Sequence, residues 1–183
     1  MKAILFDEKF GLRSAVLSGR KTMTRRLMKP QPTWVSADGK IYNDSKPSRY
    51  KVGEVVAVAQ PYETFMSVHE LCERGLYTSA GAHNSMFIKP LLMPHQIQIT
   101  DIKVERLHDI TEEDCLKEGV WIDSHREVLD DNIYTVDVFL KHYCQWHFPS
   151  AREAFSFLID KVSGKGSWER NPWVFAYSFK LVK

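Results

Sequence analysis

Two stretches of the chain carry residues whose types and spacing could support chemistry. The first is a basic segment at 18–26, which follows an apolar helical pattern and a glycine. Its polar members are Arg20, Lys21, Arg25 and Arg26 around Thr22 and Thr24. A threonine hydroxyl is a poor nucleophile until a base takes its proton, and a lysine can be that base when desolvation or nearby cations lower its pKa. The charge pattern alone also fits a solvated basic turn.

The second stretch, at 110–119, predicts a short helix with a carboxylate at an unfavourable position. Thr111 suits the N-cap, Asp114 the N3 position of a capping box, and Gly119 the end of the helix. Glu118 then lies in the last turn, where the helix dipole disfavours it by about 0.3–1 kcal/mol. Glu118 is therefore a candidate to hold a lysine, move a proton or activate a water. The direction in which it would shift a lysine pKa is left open, because a carboxylate favours the charged amine.

The composition is typical of an ordinary globular chain. Its 183 residues suffice for one buried core, and 44% hydrophobic with 26% charged residues argues against global disorder. A net charge of +2 is too small to indicate a nucleic-acid partner, so any such partner must use a local patch. Three widely spaced cysteines and the lack of a secretion signal or a membrane-length apolar run predict a cytoplasmic protein without a membrane anchor.

No cofactor is expected from the sequence. It contains no Cys-x-x-Cys pair, no phosphate-binding glycine loop and no dinucleotide motif. His142, Cys144 and His147 lie close together, but positions i, i+2 and i+5 do not converge on one face of a helix. This spacing favours side chains without metal. The remaining candidate is a metal-free site built from the two stretches described above.

Hydrophobic periodicity predicts alternating helices and strands. Strands are expected at 3–6, 53–59, 97–107 and 173–182, and the buried face of the third changes partway along it. Helices are expected at 9–18, 68–74, 110–119, 135–146 and 150–164. In a flat strand Lys21 and Thr24 would face opposite sides, so their cooperation requires a bulge or a tight turn between them.

A long polar loop is predicted between the basic segment and the second strand. Its proline, glycine and asparagine content indicates surface structure, with a small hairpin centred on Asp38-Gly39. Trp34, Tyr42 and Tyr50 lie among lysines and arginines in this loop. These aromatic rings could stack bases beside phosphate contacts, or they could pin the loop to the core.

Four segments, in chain order, resemble the ASCH domain family, whose members have a small PUA-like β-barrel. The first, Gly19-Arg-Lys21-Thr22-Met-Thr24-Arg-Arg26, resembles the family's Gly-x-Lys-x-x-x-x-Arg motif. The others are Gly53-Glu54 with the apolar run after it, Val104 through Glu118-Gly119, and Gly166 through Val174, which resembles longer phage and prophage members. The resemblance implies an α+β fold, a PUA-like β-barrel with peripheral helices, as one domain over 1–183. It also implies insertions near 28–51, 64–84 and 121–149.

One branch of that family, the bacterial N4-acetylcytidine amidohydrolases, hydrolyses an acetyl amide with a lysine, a threonine and a glutamate. The resemblance assigns those roles to Lys21, Thr24 and Glu118. It implies a metal-independent amidohydrolase in which Thr24 or a water attacks the carbonyl, Lys21 acts as base and Glu118 relays protons. The chain has Tyr62 where phage-type members often carry a tryptophan, and its insertions could shape another pocket, so the substrate does not follow from the trio.

Two other functions are open for the same region. One is a module that binds RNA or a modified nucleotide. Its phosphate contacts would come from Arg20, Lys21, Arg25 and Arg26, and an aromatic ring such as Trp34 or Tyr62 would stack on a base. The other is a metal-independent ribonuclease. A nucleic-acid binder loses affinity steeply with salt, whereas a nucleoside hydrolase depends on salt much less, because its substrate carries no phosphate. None of these patterns addresses the oligomeric state.

Overall fold

The computed structural model describes residues 1–37, 41–42, 46–122, 134–139 and 143–182, and these form mixed α and β structure as predicted. The strands are β1 Ala3–Ile4, β2 Met23–Leu27, β3 Trp34–Val35, β4 Ile41–Tyr42, β5 Val55–Val58, β6 Gln96–Arg106, β7 Trp121–Ile122, β8 Tyr134–Phe139, β9 Tyr143–Phe148 and β10 Trp173–Leu181. The α-helices are α1 Leu12–Leu17, α2 Val68–Glu73, α3 Glu112–Lys117 and α4 Ala151–Ser163. Among the 3-10 helices are Glu8–Phe10, Tyr62–Thr64, Ala80–Ala82, Ser85–Phe87, Pro90–Leu92 and Leu107–Asp109.

A five-stranded sheet in the order β1-β5-β6-β10-β2 lies at the centre of the fold. β1 runs parallel to β5, and the other neighbours are antiparallel. In the described residues β1 and β2 are the two edges, so the strands do not close into the barrel that the resemblance implies. The Arg26 side chain on β2 donates a hydrogen bond of 2.5 Å to the Leu5 carbonyl, directly after β1. A side chain, rather than a strand ladder, therefore connects the two edges.

Strand β6 changes its buried face partway along, as its sequence predicts. Its pairing with β10 skips Thr100, which is an extra residue between Ile99 and Asp101. Ile99 is buried in the core, and Ile102 and Val104 pack against that core from positions of the opposite parity. Because side chains alternate along a strand, one extra residue keeps both halves of the apolar set on the same face.

Helix α4 packs against α3, β8 and β9 and closes one side of the core. Its start follows from a local signal, since the Ser150 hydroxyl accepts a hydrogen bond of 3.1 Å from the Glu153 backbone amide. Ala154, Phe155 and Leu158 then form a buried face at helical spacing. Burial of each of the two large side chains contributes about 1.5–3 kcal/mol. The predicted helix and its apolar face are both confirmed.

The helix predicted at 135–146 is wrong. This region forms strands β8 and β9, which pair antiparallel from Tyr134 opposite Phe148 to Phe139 opposite Tyr143. Aromatic and β-branched residues fill β8, and these side chains fit a pleated surface better than a helix. Residues 140–142, between the two strands, lie outside the described residues. His142, weighed as a metal ligand, is one of them.

The three segments expected as insertions contain local structure of their own. In the first, β3 and β4 form a two-stranded antiparallel pair, while Asp38-Gly39 at its predicted centre lies outside the described residues. The second contains α2, ended by Gly75 in the left-handed region with a φ of 63°. The third contributes a three-stranded sheet in the order β7-β8-β9. A search of the described residues finds no helix with the length and apolar character needed to cross a membrane.

Candidate active site

The basic segment enters the core through a tight connection between α1 and β2. Gly19 ends α1 with a φ of 76°, a left-handed conformation that suits glycine. The Lys21 amide donates a hydrogen bond of 2.9 Å to the Ala15 carbonyl, and the Thr22 amide donates one of 3.0 Å to the Lys117 carbonyl. Lys21 thus lies before β2 rather than in it. In a flat strand Lys21 and Thr24 would face opposite sides, and this connection supplies the tight turn that their cooperation requires.

Lys21 and Glu118 form a buried ion pair. The Lys21 Nζ atom lies 2.7 Å from Glu118 Oε2, and the two side chains are 2% and 5% exposed. The same Nζ atom donates a 2.6 Å hydrogen bond to the Glu118 carbonyl, at the C-terminal end of α3. A cation at this end offsets the helix dipole that disfavours the Glu118 carboxylate. The charge of Glu118 at the C-terminal end of α3 is therefore compensated by Lys21, which comes from a distant part of the chain.

Gly119 gives Lys21 the space to reach this position. Its φ of 107° lies in the left-handed region, where L side chains are strained. A Cβ atom at Gly119 would also lie 3.1 Å from the Leu12 Cδ2 atom and 3.5 Å from the Lys21 Cδ atom. Because Gly119 has no side chain, Lys21 and α1 can both approach the end of α3 closely.

Arg25 holds the other side of Glu118. Its guanidinium lies 3.3 Å from Glu118 Oε1, 2.7 Å from Glu105 Oε1 and 3.0 Å from Asp114 Oδ2, and the side chain is only 1% exposed. Burial disfavours the charged guanidinium, but the carboxylates outweigh this cost and raise the pKa of Arg25. With its donors occupied by three carboxylates, Arg25 orients the site and is not available for the phosphate contact predicted from sequence.

A cleft of about 650 Å³ opens over these residues. Lys21, Thr24 and Glu118 all contribute to its lining, so the predicted trio lines one cavity. Thr24 is 5% exposed. Phe155 and Leu158 of α4 add apolar side chains to the lining. A volume in this range is typical of small-molecule sites.

The electrostatics of the cleft leave Lys21 easier to deprotonate than an exposed lysine. Burial is the largest effect and lowers its pKa, while the Glu118 carboxylate raises it and the positive charges of Arg26 and Arg25 lower it further. Lys21 Nζ also lies 5.9 Å from the centre of the Phe6 ring, on an apolar side of the cleft. The net direction, left open by the sequence, is a lowered pKa.

The structure distributes the other predicted binding residues over several places. Arg26 lines the cleft, and its guanidinium lies 5.8 Å from the Phe6 ring centre. Arg20 is exposed and lies 5.7 Å from the Trp121 ring centre, away from the cleft lining. Trp34 is 57% exposed on β3. Tyr62 is buried in a second apolar cluster, where its hydroxyl accepts a hydrogen bond of 2.7 Å from the Lys89 amide. The structure therefore does not bring Arg20, Trp34 or Tyr62 to the cleft.

Sequence reasoning missed two of the three carboxylates that contact Arg25, those of Asp114 and Glu105. Asp114 lies four residues before Glu118, so helical spacing could have placed both on the same face of α3. Glu105 could not have been found in this way, because it comes from β6, which is separated from β2 by β10 in the sheet. Only the strand order brings Glu105 within reach of Arg25.

The described residues contain no group of three or more histidine, cysteine, aspartate or glutamate side chains arranged to hold a metal ion. No protein-family model, curated protein or solved structure matches the chain. The resemblance to the ASCH family rests on the motif residues alone.

Proposed function

We propose that the protein is an amide hydrolase whose substrate is an acylated nucleoside, such as N4-acetylcytidine, or a related small amide. The observation that carries the proposal is the 2.7 Å contact between Lys21 and Glu118 in the wall of a cleft that Thr24 also lines. These are the three residue types, in the three motif positions, that the resemblance assigns to amide hydrolysis. The same motif residues support membership of the ASCH family with its PUA-like fold.

Lys21 is the proposed base. Its burial lowers the pKa, so that a neutral amine is accessible to take the proton of the Thr24 hydroxyl or of a water. Attack on the acyl carbon then breaks the carbonyl π bond and leaves a protonated lysine beside a tetrahedral oxyanion. The Glu118 carboxylate stabilises that ammonium ion directly. Return of the proton to the leaving nitrogen releases the amine as the carbon–nitrogen bond breaks.

Glu118 is the proposed partner that holds Lys21 in place during the proton transfers. Its Oε1 atom is held at 3.3 Å by the Arg25 guanidinium, which leaves Oε2 facing Lys21. A carboxylate anchored in this way keeps one orientation while the lysine gains and loses its proton. If Thr24 is the nucleophile, a water hydrolyses the resulting acyl ester and regenerates the hydroxyl, with Lys21 again accepting the proton. Acid and amine are the products in either case.

The test is a chromatographic assay of purified protein with N4-acetylcytidine in the presence of a chelator. We expect conversion to cytidine by the wild type and a loss of at least about a hundredfold in Lys21→Met, the lower end of what general-base catalysis contributes. Lys103→Met removes an exposed lysine from β6 and should retain full activity. A Lys21→Met variant that remains folded at the assay temperature and keeps its activity would refute the assignment of the base.

Two variants of Thr24 separate the possible nucleophiles. Thr24→Val keeps the shape of the side chain and removes the hydroxyl, whereas Thr24→Ser keeps the hydroxyl. A threonine nucleophile predicts an inactive Thr24→Val and a partly active Thr24→Ser. A water nucleophile predicts activity in both. If the wild type does not convert N4-acetylcytidine at high enzyme concentration, N4-acetylcytidine is not the substrate. If the wild type converts no other acylated nucleoside either, the proposal is refuted.

A further inference from the structure

The lining of the cleft includes both buried and exposed residues. The Lys21 and Glu118 side chains are 2% and 5% exposed, whereas the side chain of His83, which also lines the cleft, is 71% exposed. His83 is followed in the lining by Asn84 and Ser85, and we call these three residues the rim segment. A substrate whose amide contacts Lys21 can extend from there towards the exposed part of the cleft.

The rim segment lies at the end of the second expected insertion, outside the four segments that resemble the ASCH family. Close packing at Gly81 holds it in place. A Cβ atom at Gly81 would lie 2.7 Å from the Tyr62 Cε2 atom and 2.8 Å from the Phe87 carbonyl oxygen, which is too close for any residue with a side chain. Tyr62 is buried, and its hydroxyl accepts a hydrogen bond from the Lys89 amide. The rim segment is therefore anchored on both sides.

His83 has one ring nitrogen engaged and one available. Its Nδ1 atom lies 2.5 Å from Glu63 Oε2, and because an ionised carboxylate only accepts hydrogen bonds, Nδ1 carries a proton. Among the described residues no hydrogen-bond partner is found for His83 Nε2. The Glu63 carboxylate thus orients the ring, and Nε2 is left for a ligand.

The pair of His83 and Glu63 suits an uncharged polar group better than an anion. With a neutral imidazole the pair is negative, and with a protonated imidazole its charges cancel, so it carries no net positive charge in either state. A hydroxyl fits both states, because it can donate to the bare Nε2 atom of a neutral ring or accept from the N–H group of a protonated ring.

Asn84 and Ser85 add further hydrogen-bonding groups to the rim segment. The Asn84 Oδ1 atom accepts a hydrogen bond of 2.9 Å from the Met86 amide, which leaves the side-chain NH2 group as a donor. The Ser85 hydroxyl can donate or accept. A row of donors and acceptors matches two neighbouring hydroxyls, since each of them also donates and accepts. The vicinal 2′,3′-hydroxyls of a ribose have this arrangement.

We propose that the rim segment binds the ribose hydroxyls of the substrate, and that His83 distinguishes a ribonucleoside from analogues without these hydroxyls. The inference rests on the proposed function and narrows its substrate to acylated ribonucleosides. Glu63 is a positioning residue, because it acts through the His83 ring. A site that hydrogen-bonds a substrate hydroxyl rejects the analogue that lacks it. Water can replace the lost bond at an exposed residue such as His83, so the discrimination should be about tenfold, well below that of a buried site.

The test compares kcat/KM for N4-acetylcytidine and for N4-acetyl-2′,3′-dideoxycytidine, which lacks both hydroxyls. The wild type should prefer N4-acetylcytidine by about tenfold. His83→Ala should raise KM for N4-acetylcytidine about fivefold, the effect of one lost hydrogen bond, at nearly the same kcat, and should lower the preference by the same factor. Glu63→Ala should raise KM by a smaller factor, because the imidazole is still present but no longer oriented.

The matched controls are His69→Ala and Glu73→Ala. His69 Nδ1 lies 3.6 Å from Glu73 Oε2 in another exposed histidine–glutamate pair, and neither residue lines the cleft. Both controls should keep the wild-type KM and the wild-type preference. A fall in kcat rather than a rise in KM in His83→Ala, or equal losses on both substrates, would overturn the assignment of His83.

An NMR titration with cytidine and 2′,3′-dideoxycytidine separates this inference from the proposed function, because it needs no hydrolysis. Tighter binding of cytidine that His83→Ala weakens, in a wild type that hydrolyses no acylated nucleoside, would support the ribose contact and refute the proposed function. Hydrolysis of the two acylated substrates with equal kcat/KM would refute the ribose contact alone. A wild type that neither binds cytidine nor hydrolyses an acylated nucleoside would refute both.

Discussion

Replacing Glu118 by glutamine tests the central feature of the site, a buried lysine held by one carboxylate. The variant keeps the shape of residue 118 but removes its charge and replaces one of the two acceptor oxygens, which face Lys21 and Arg25, by a donor NH2 group. Lys21 then loses the carboxylate that raises its pKa, while burial and the nearby arginines continue to lower it. Removing one partner of a buried pair costs about 3–5 kcal/mol. We expect the lower figure, about 3 kcal/mol, because glutamine still accepts a hydrogen bond from Lys21.

The loss of stability should depend on pH in a defined direction. In the unfolded chain Lys21 has an ordinary pKa of 10.5, burial lowers this pKa in the folded wild type, and loss of the Glu118 carboxylate lowers it further in the folded variant. Between the two folded-state pKa values the folded variant has released a proton that the folded wild type still binds, so the free energy of unfolding of the variant rises with pH relative to that of the wild type. The deficit of Glu118→Gln relative to the wild type should therefore be largest near pH 6 and should shrink as the pH approaches ~10.

The assay is thermal unfolding followed by circular dichroism at pH values between about 6 and 10. A deficit of about 3 kcal/mol corresponds to a fall in Tm of about 6–12 °C for a chain of this length. Glu113→Gln is the control, because Glu113 pairs with Lys117 at 2.7 Å on the surface and is 77% exposed. It should cost less than about 1 kcal/mol. A deficit that is absent, or that does not change with pH, would refute the buried charge pair.

Two further predictions concern the groups that support the pair. Arg25→Lys should lower the free energy of unfolding by about 3 kcal/mol in urea denaturation, because one ammonium group cannot form ion pairs with three carboxylates. The control is Arg74→Lys at an exposed pair, which should change the free energy of unfolding by less than about 0.5 kcal/mol. Equal effects would contradict the geometry around Arg25. Gly119→Ala should cost about 1–3 kcal/mol more than Gly164→Ala, because both glycines have a φ of 107° but only the first has Leu12 Cδ2 at 3.1 Å from a new Cβ atom. Similar losses in both alanine variants would show that the contact between the new Cβ atom and Leu12 does not lower the stability.

Local sequence patterns were sufficient to predict most of the elements. The helix α3 follows from Thr111, whose hydroxyl accepts a 3.1 Å hydrogen bond from the Asp114 amide, and it ends before Gly119 as expected. The start of α4 follows in the same way from Ser150. The change of face in β6 was visible as a change in the parity of its apolar residues. These features depend on neighbours within a few positions of the chain, and sequence spacing contains that information.

The strands β8 and β9 show where such patterns fail. Val136 and Phe139 have helical spacing, yet they lie on a strand that pairs with the next one. A short apolar pattern fits a helix or a strand, and the packing of the strand against α4 decides between them. The edges β1 and β2 show the same limit, because strand order and closure depend on pairings between distant parts of the chain.

The sequence by itself determined which groups could react: a lysine and a threonine three residues apart after a helix, and a glutamate at an unfavourable helix end. The tertiary structure alone decided that Lys21 and Glu118, 97 residues apart, are in contact, and that Thr24 lines the same cleft. It also decided that Arg25 is enclosed by Glu105 and Asp114. Residue types are local properties, whereas burial, and the lowered pKa of Lys21 that it causes, arise only when the sheet and the helices pack together.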